Sequence, residues 1–289
     1  MSSPAVAPPA TAYLRVASLD EALRARADHP DWLVLAGGTD VMVDVQRRAA
    51  PPGVIDLFGL AALRGVTRDG DLLRLGAVTT YADLLAETLV RETLPSVHAA
   101  AAEVGSVQIR ERGTVGGNVM TSSPVGDLLP PLLALDAAIL LGSVRGTRLV
   151  PYSEFCTGYR TTAAGPDELV LAVVVPVPEP GTVQRWRKVG TRAAQSISKV
   201  AFAGAARLVA GRVVGVRLAV GGVADRPLRL TDVEALVEGR PPTRALAAEV
   251  RSAATAAVHP LDDVRSSAAY RADVTGSLAA RFVLDLPAG

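Results

Sequence analysis

The stretch GTVGGNVMTSSPVGD, from Gly113 to Asp127, constrains this chain most, because no ordinary core element needs glycines at 113, 116, 117 and 126 beside an asparagine and several hydroxyls. Glycine lets a backbone turn through positive φ and come close to a ligand, and successive free N–H groups in such a turn form a concavity for an anion. A shorter copy lies upstream, where the apolar run Trp32 to Ala36 meets Gly37, Gly38, Thr39 and Asp40. Either glycine pair alone is an ordinary turn. Together the two loops point to a ligand with two phosphates held between them. Neither is a common nucleotide motif, since no G-x-G-x-x-G opens a helix after a strand and no G-x-x-x-x-G-K-S/T occurs. A Rossmann domain and a P-loop NTPase are therefore disfavoured.

The chain's 289 residues, 49% apolar and 20% charged, are enough for two or three domains with real cores. Thirty basic against 29 acidic side chains leave a formal charge of +1, so nothing advertises a nucleic-acid or anionic-membrane surface. The longest apolar stretch, Leu128 to Leu141, is broken by Pro130, Pro131 and Asp136, which excludes a spanning helix there. The opening MSSPAVAPPA lacks the basic start and apolar core of a signal peptide and reads as a loose leader on a cytoplasmic protein. Cys156 is the single cysteine, so the chain can form no internal disulfide and no iron–sulfur cluster of its own. His29, His98 and His259 show no metal spacing. A catalytic metal is not expected, and a redox role needs an organic cofactor.

Taken in order, Ser18 and Glu21 form a capping-box signature for a helix ending near His29-Pro30. Trp32 to Ala36 is a strand, Val41 to Gln46 a helix start or turn, and Val54 to Leu57 a second strand. A second unit opens with the alternation Leu73, Leu75, Ala77, and Thr80 with Asp83 caps a helix through Leu89. Thr93 to Val104 is a helix with Pro95 in its first turn, and Ser106 to Arg112 reads as short and extended. Asp127 stands where the helix Leu128 to Leu135 wants an N-cap, which is one reading of it. Ala137 to Leu141 and Thr147 to Val150 form a hairpin, and Leu169 to Val175 is a buried strand. Beyond Gly181, Val183 to Val189, Val200 to Leu208 and Arg212 to Val220 read as a three-stranded antiparallel sheet turning at Ala210-Gly211. Helices over Asp232 to Val237, Thr243 to Val258 and Ser266 to Leu284 complete it. The predicted units are 1–60, 61–178 and 179–289.

Four phrases in matching order carry a resemblance: LAGGTD, IRERGTVGGNVMTSSPVGDLLPPLLALDA, EFCTGYRTTAAGPDELVLAVVVP and RKVGTRAAQSISKVAFAGAAR. They resemble the FAD-binding medium subunit of molybdenum hydroxylases, the xanthine dehydrogenase and carbon monoxide dehydrogenase family, from about Leu14 to Tyr270. The GTD and AQSISK wording is closer to xanthine-dehydrogenase-like members. The resemblance implies an α+β chain, with two α/β subdomains clasping FAD and a C-terminal α+β domain. It places Ala36, Gly37, Gly38, Thr39 and Asp40, with Thr114, Val115, Gly116, Gly117 and Asn118, in the pyrophosphate and ribityl loops. It makes Val104 and Val170 neighbours of the ring or adenine, and brings Lys188 to the flavin. Backbone N–H groups accept two phosphate charges without a cation, and a carboxylate at Asp127 suits a ribityl or ribose hydroxyl better than a phosphate. Lys188 and Arg192 also read as solvated strand charges. Arg110, Arg112 and Arg160 read as loop or interface charges, and Cys156 as a small buried side chain.

In such a family a molybdopterin large subunit oxidises the substrate, and a small subunit with two [2Fe-2S] clusters relays electrons to FAD, which hands them to NAD or another acceptor. This chain then binds FAD and tunes it, and no catalytic side chain is expected. A stand-alone FAD oxidoreductase needs an acid or base near the ring, and the sequence offers no convincing one. A scaffold that had lost its flavin would show eroded glycine loops, and these are intact. Gln195-Ser196 stand where some relatives carry an acidic residue, so their acceptor preference does not transfer.

Overall fold

A computed structural model of the chain describes residues 11–43, 49–192 and 195–287. The opening leader and residues 44–46 of the turn after Asp40 lie outside the described residues. Strands β1 (Ala12–Arg15), β2 (Leu33–Leu35) and β3 (Gly53–Asp56) form a parallel sheet in the order β1-β3-β2. β1 goes beyond the sequence reading, having only four residues and no buried face to mark it. Helix α1 (Leu19–Asp28) crosses between β1 and β2. Ser18 Oγ accepts from the Glu21 N–H at 3.1 Å, and the Glu21 carboxylate takes the Ala17 N–H at 2.7 Å. The capping signature thus works, with its return bond one residue early.

The second sheet is built from β4 (Val66–Asp69), β5 (Leu72–Gly76), β6 (Ala138–Ser143) and β7 (Gly146–Pro151). After the small pair β8 (Cys156–Gly158) and β9 (Thr161–Thr162), β10 (Leu169–Pro176) inserts at its centre. The order is β4-β5-β10-β6-β7, all antiparallel. A bulge between Val170 and Ala172 shifts the phase of β10. Leu169 and Leu171 therefore join the core made with Val16, Ala22 and Ile55, whereas Val170, Val173 and Val175 join the core under the central helices. Both faces of the sheet are covered at β10, and a near-continuous apolar strand is the result.

The central helices are α2 (Tyr81–Ala86), α3 (Thr88–Thr93), α4 (Pro95–Glu103), α5 (Val107–Arg112), α6 (Val115–Thr121), α7 (Leu129–Ala134) and the single turn α8 (Tyr152–Phe155). Thr80 and Asp83 make a complete capping box, but the helix expected through Leu89 breaks at the extended Glu87. Ser106 to Arg112 is not extended. Ser106 Oγ accepts from the Ile109 N–H at 3.3 Å and starts a helix there, a local cap that outweighs the β-branched Val107 and Ile109. The central glycine stretch is likewise helical over α6 rather than a loop throughout.

β11 (Val183–Val189), β12 (Val200–Val209) and β13 (Arg212–Gly221) pair antiparallel as expected, with Ala210 and Gly211 at φ 49° and 73° in the turn. A short fourth strand, β14 (Leu228–Arg229), adds to the β13 edge, so this sheet has four strands and not three. One face packs on α9 (Thr231–Val237), α10 (Arg244–Ala256) and α11 (Ala268–Leu284). The other places Trp186, Ala201, Ala203 and Ala205 in the core of the central helices. Among the described residues no helix is long and apolar enough to cross a membrane.

Arg271 of α11 is buried and donates to the carbonyls of Lys199 at 2.9 Å and Gly222 at 2.7 Å, and to Asp263 at 2.7 Å. Burial works against the Asp263 carboxylate, but the Arg265 and Ser266 N–H groups and the Arg271 guanidinium outweigh it and lower its pKa to about 2. Its folded pKa lies below the unfolded value of about 3.9, so its stabilisation is present above that pH and is lost as pH falls toward about 2. Urea midpoints measured across that acid window should fall less steeply for Asp263→Asn than for the unaltered chain; identical slopes would remove Asp263 from this role.

Candidate functional site

The two glycine bends meet backbone to backbone. A Cβ built on Gly37 would lie 1.7 Å from the Arg112 carbonyl oxygen, so the turn after β2 seats directly on the end of α5 and only glycine fits. From there the chain enters α6, whose first turn is tied down. The Val115 N–H donates to Thr79 O at 3.0 Å, Gly116 N–H to Ala77 O at 2.8 Å, and Gly117 N–H to Thr114 Oγ1 at 3.1 Å. The main-chain donors expected to be free in this stretch are therefore already used. In the first bend the situation is the reverse, because no described residue accepts from the main-chain N–H groups of Gly37, Gly38, Thr39 or Asp40.

Between the bends lies a cavity of about 840 Å³. It is lined by Ala36, Gly37, Gly38, Thr39 and Asp40 from one side, by Thr114, Gly116, Gly117 and Asn118 from the other, and by Val104 and Val170. Val115 is wholly buried in the central core instead. Asp127 and Lys188 stand behind the wall. Lys188 Nζ donates to Asp127 Oδ2 at 2.6 Å and to Glu103 O at 3.3 Å, and Ser198 Oγ donates to Asp127 Oδ1 at 2.5 Å. Each Asp127 oxygen thus accepts one protein hydrogen bond, and neither Asp127 nor Lys188 is among the residues that line the cavity. Nor does Asp127 cap α7, whose N-cap position is Leu128. Burial pushes the Asp127 carboxyl upward, opposed by the Lys188 charge and the two side-chain hydrogen bonds.

The cavity also holds residues that the sequence reading passed over. Arg160 lies 3.6 Å from Asp40 and offsets its charge beside the first bend; nothing in its neighbourhood marks it as more than a loop arginine. Tyr81, at the start of the correctly anticipated α2, lines the wall, with its phenol pKa raised by burial and by the Asp127 charge. Trp32 closes the far end, stacked on His29 with 3.9 Å between ring centroids, and Arg26 donates to its carbonyl at 3.0 Å.

A dinucleotide cofactor fits these walls. The volume lies within the range of small-molecule and cofactor sites, roughly 300–1,000 Å³. The N–H groups of the first bend, which no described residue accepts, suit phosphate oxygens. Asn118 lines the cavity, and its buried Oδ1 has no hydrogen-bond partner among the described residues, a state that costs free energy. The carboxylates of Asp40 and Glu168 that face the cavity are ion-paired to Arg160 and Arg148. Among the described residues no cluster of His, Cys, Asp and Glu is arranged to hold a metal ion.

Residues 9–178 match the model of the FAD binding domain in molybdopterin dehydrogenase, and residues 185–286 match that of the CO dehydrogenase flavoprotein C-terminal domain. The chain belongs to the family of FAD-binding medium subunits of molybdenum hydroxylases. It is 33% identical to the glyceraldehyde dehydrogenase medium chain of Sulfolobus acidocaldarius over 92% of this chain and 95% of that one. It is 34% identical to the xanthine dehydrogenase FAD-binding subunit of Escherichia coli over 79% and 80% of the two chains. A solved carbon monoxide dehydrogenase from Hydrogenophaga pseudoflava superposes with a TM-score of 0.90 at 28% identity, covering 96% of both chains. FAD is the cofactor of this oxidoreductase subunit.

The two central glycines differ in what they tolerate. A Cβ on Gly116 would meet the Ala77 carbonyl at 2.7 Å, whereas one on Gly117 meets only Thr114 Oγ1, at 2.9 Å. Gly116→Val should lower the unfolding free energy by about 3 kcal/mol or more through backbone overpacking, while Gly117→Val stays folded and retains less flavin. Thermal melts beside flavin content of the two purified variants test this; equal melts and equal flavin would contradict it.

Proposed function

We propose that this subunit accepts electrons from the [2Fe-2S] clusters of a small partner subunit and passes them to NAD or another acceptor, while a molybdopterin large subunit oxidises the substrate. The observation that carries the reading is the cavity itself. Its first bend has main-chain donors that no described residue accepts, the amide of Asn118 lines its other side, and of its lining carboxylates those of Asp40 and Glu168 are held in ion pairs. When bound, FAD supplies the reversible electron chemistry. The names of relatives support a divided complex, since the carbon monoxide dehydrogenase protein of Hydrogenophaga pseudoflava is called a medium chain. With Cys156 the sole thiol, clusters would have to come from another chain.

The roles of individual residues follow from their positions. The main-chain N–H groups of Gly37, Gly38, Thr39 and Asp40 bind the phosphates, with Arg160 offsetting the Asp40 charge. Asn118 meets the cofactor through its side-chain amide, Thr114 holds the first turn of α6, and Val104 and Val170 give the rings an apolar, water-excluding bed. Asp127 and Lys188 act from behind that wall. Units 1–60 and 61–178 clasp FAD, 179–289 closes over them, and the complex works in the cytoplasm.

The chain co-expressed with its partners should purify yellow with a cluster-bearing and a molybdenum-bearing subunit, and substrate should bleach its flavin only when all three are present. A chain that turns over a small substrate alone would replace this reading with a self-contained flavoenzyme. Asn118→Leu should weaken FAD binding roughly fivefold to tenfold, about 1 kcal/mol for a single hydrogen bond, as read by flavin fluorescence titration. Unchanged affinity would remove Asn118 from the site.

A further inference from the structure

The C-terminal sheet grips the segment between α6 and α7 at two points. Gly222 N–H donates to Pro124 O at 2.7 Å, and Lys188 and Ser198 converge on Asp127. Lys188 and Asp127 have side chains only 5% and 10% exposed. A buried ion pair is weak evidence for stability, because apolar residues of similar size often serve as well, so this one calls for another reason. Its position supplies one. Lys188 also binds the Glu103 carbonyl, and the next residue, Val104, lines the cofactor cavity; Tyr81, which lines it too, feels the Asp127 charge. The pair is therefore within one residue of the cavity, in a dry layer where charges act strongly. Lys188 alone would present a positive charge to the cofactor, and with Asp127 against it the net charge is close to zero.

We propose that Asp127 and Lys188 are a charge-compensated pair that sets the reduction potential of FAD in this cavity, and that Ser198 is the positioning residue that keeps Asp127 turned onto Lys188. Ser198 is itself buried, and the residue that follows it is anchored at both its N–H and its carbonyl. The neighbouring Lys199 N–H donates to Val189 O at 2.8 Å, and the Lys199 carbonyl is held by Arg271. Its hydroxyl takes one Asp127 oxygen and leaves the other to Lys188. The inference rests on FAD occupying the cavity as proposed above.

The test is spectroelectrochemical titration of the full chain loaded with FAD. Asp127→Asn keeps the shape but exposes the Lys188 charge, and should favour reduced over oxidised FAD by tenfold or more, a positive shift of about 30 mV or more for a two-electron couple. Ser198→Ala should shift the potential the same way by about threefold in that ratio, and should do nothing further in an Asp127→Asn background, since the two act through one carboxylate. A potential unmoved by Asp127→Asn, or a Ser198→Ala shift that persists when Asp127 is already changed, would overturn the proposal while leaving FAD binding intact. Failure of the unaltered chain to take up FAD would instead sink the cofactor assignment on which it rests.

Discussion

The contact on which this architecture depends is a glycine with no room for a side chain. Gly37 lies on the Arg112 carbonyl so closely that any Cβ would overlap it, and this backbone contact joins the parallel N-terminal sheet to the helices of the central unit. Arg112 reinforces the junction from the same place, its guanidinium 3.8 Å from the centre of the Phe58 ring. The close approach therefore does structural and functional work at once: it packs two units together and places Gly37 to Asp40, whose N–H groups no described residue accepts, along the cavity.

Around that junction the division of labour is physical. The central strand β10 of the antiparallel second sheet is buried on both faces, and its bulge turns Leu169 and Leu171 to one core and Val170, Val173 and Val175 to the other. Val170 reaches the cavity from this rigid centre rather than from a loop. The C-terminal sheet braces the outer wall by holding Pro124 and Asp127, although none of its residues lines the cavity. Rigid walls and a bare glycine rim suit a subunit whose task is to hold a redox cofactor in one pose, because binding and orientation are what a protein adds to such chemistry.

Local chemistry was legible in the sequence. Ser18 with Glu21, Thr80 with Asp83 and the Ala210-Gly211 turn act over three or four residues, and each stands where its pattern put it. Long-range compensation was not. Glycines at 116 and 117 argue against a helix by propensity, yet α6 forms because the Thr79 and Ala77 carbonyls, far back in sequence, take the N–H groups of its first turn. Asp127 has two sensible local readings, cap and sugar acceptor; it does not cap the helix, and its partners Lys188 and Ser198 lie 61 and 71 residues away. Arg160 reads from the sequence only as a loop or interface charge for the same reason: its partner Asp40 lies 120 residues away, in the turn after β2. The paired glycine phrases marked the place of the cavity, whereas the side chains that trim its charge came from segments without a motif.

The most direct test of the central claim is amide hydrogen exchange along the chain with and without FAD. If the first bend supplies the phosphate donors, exchange in the segment from Leu35 to Val43 should slow by about tenfold or more when FAD is added, with the distant β12–β13 hairpin tip unchanged. Flavin retained at full occupancy with no protection in that segment would show that the diphosphate sits elsewhere.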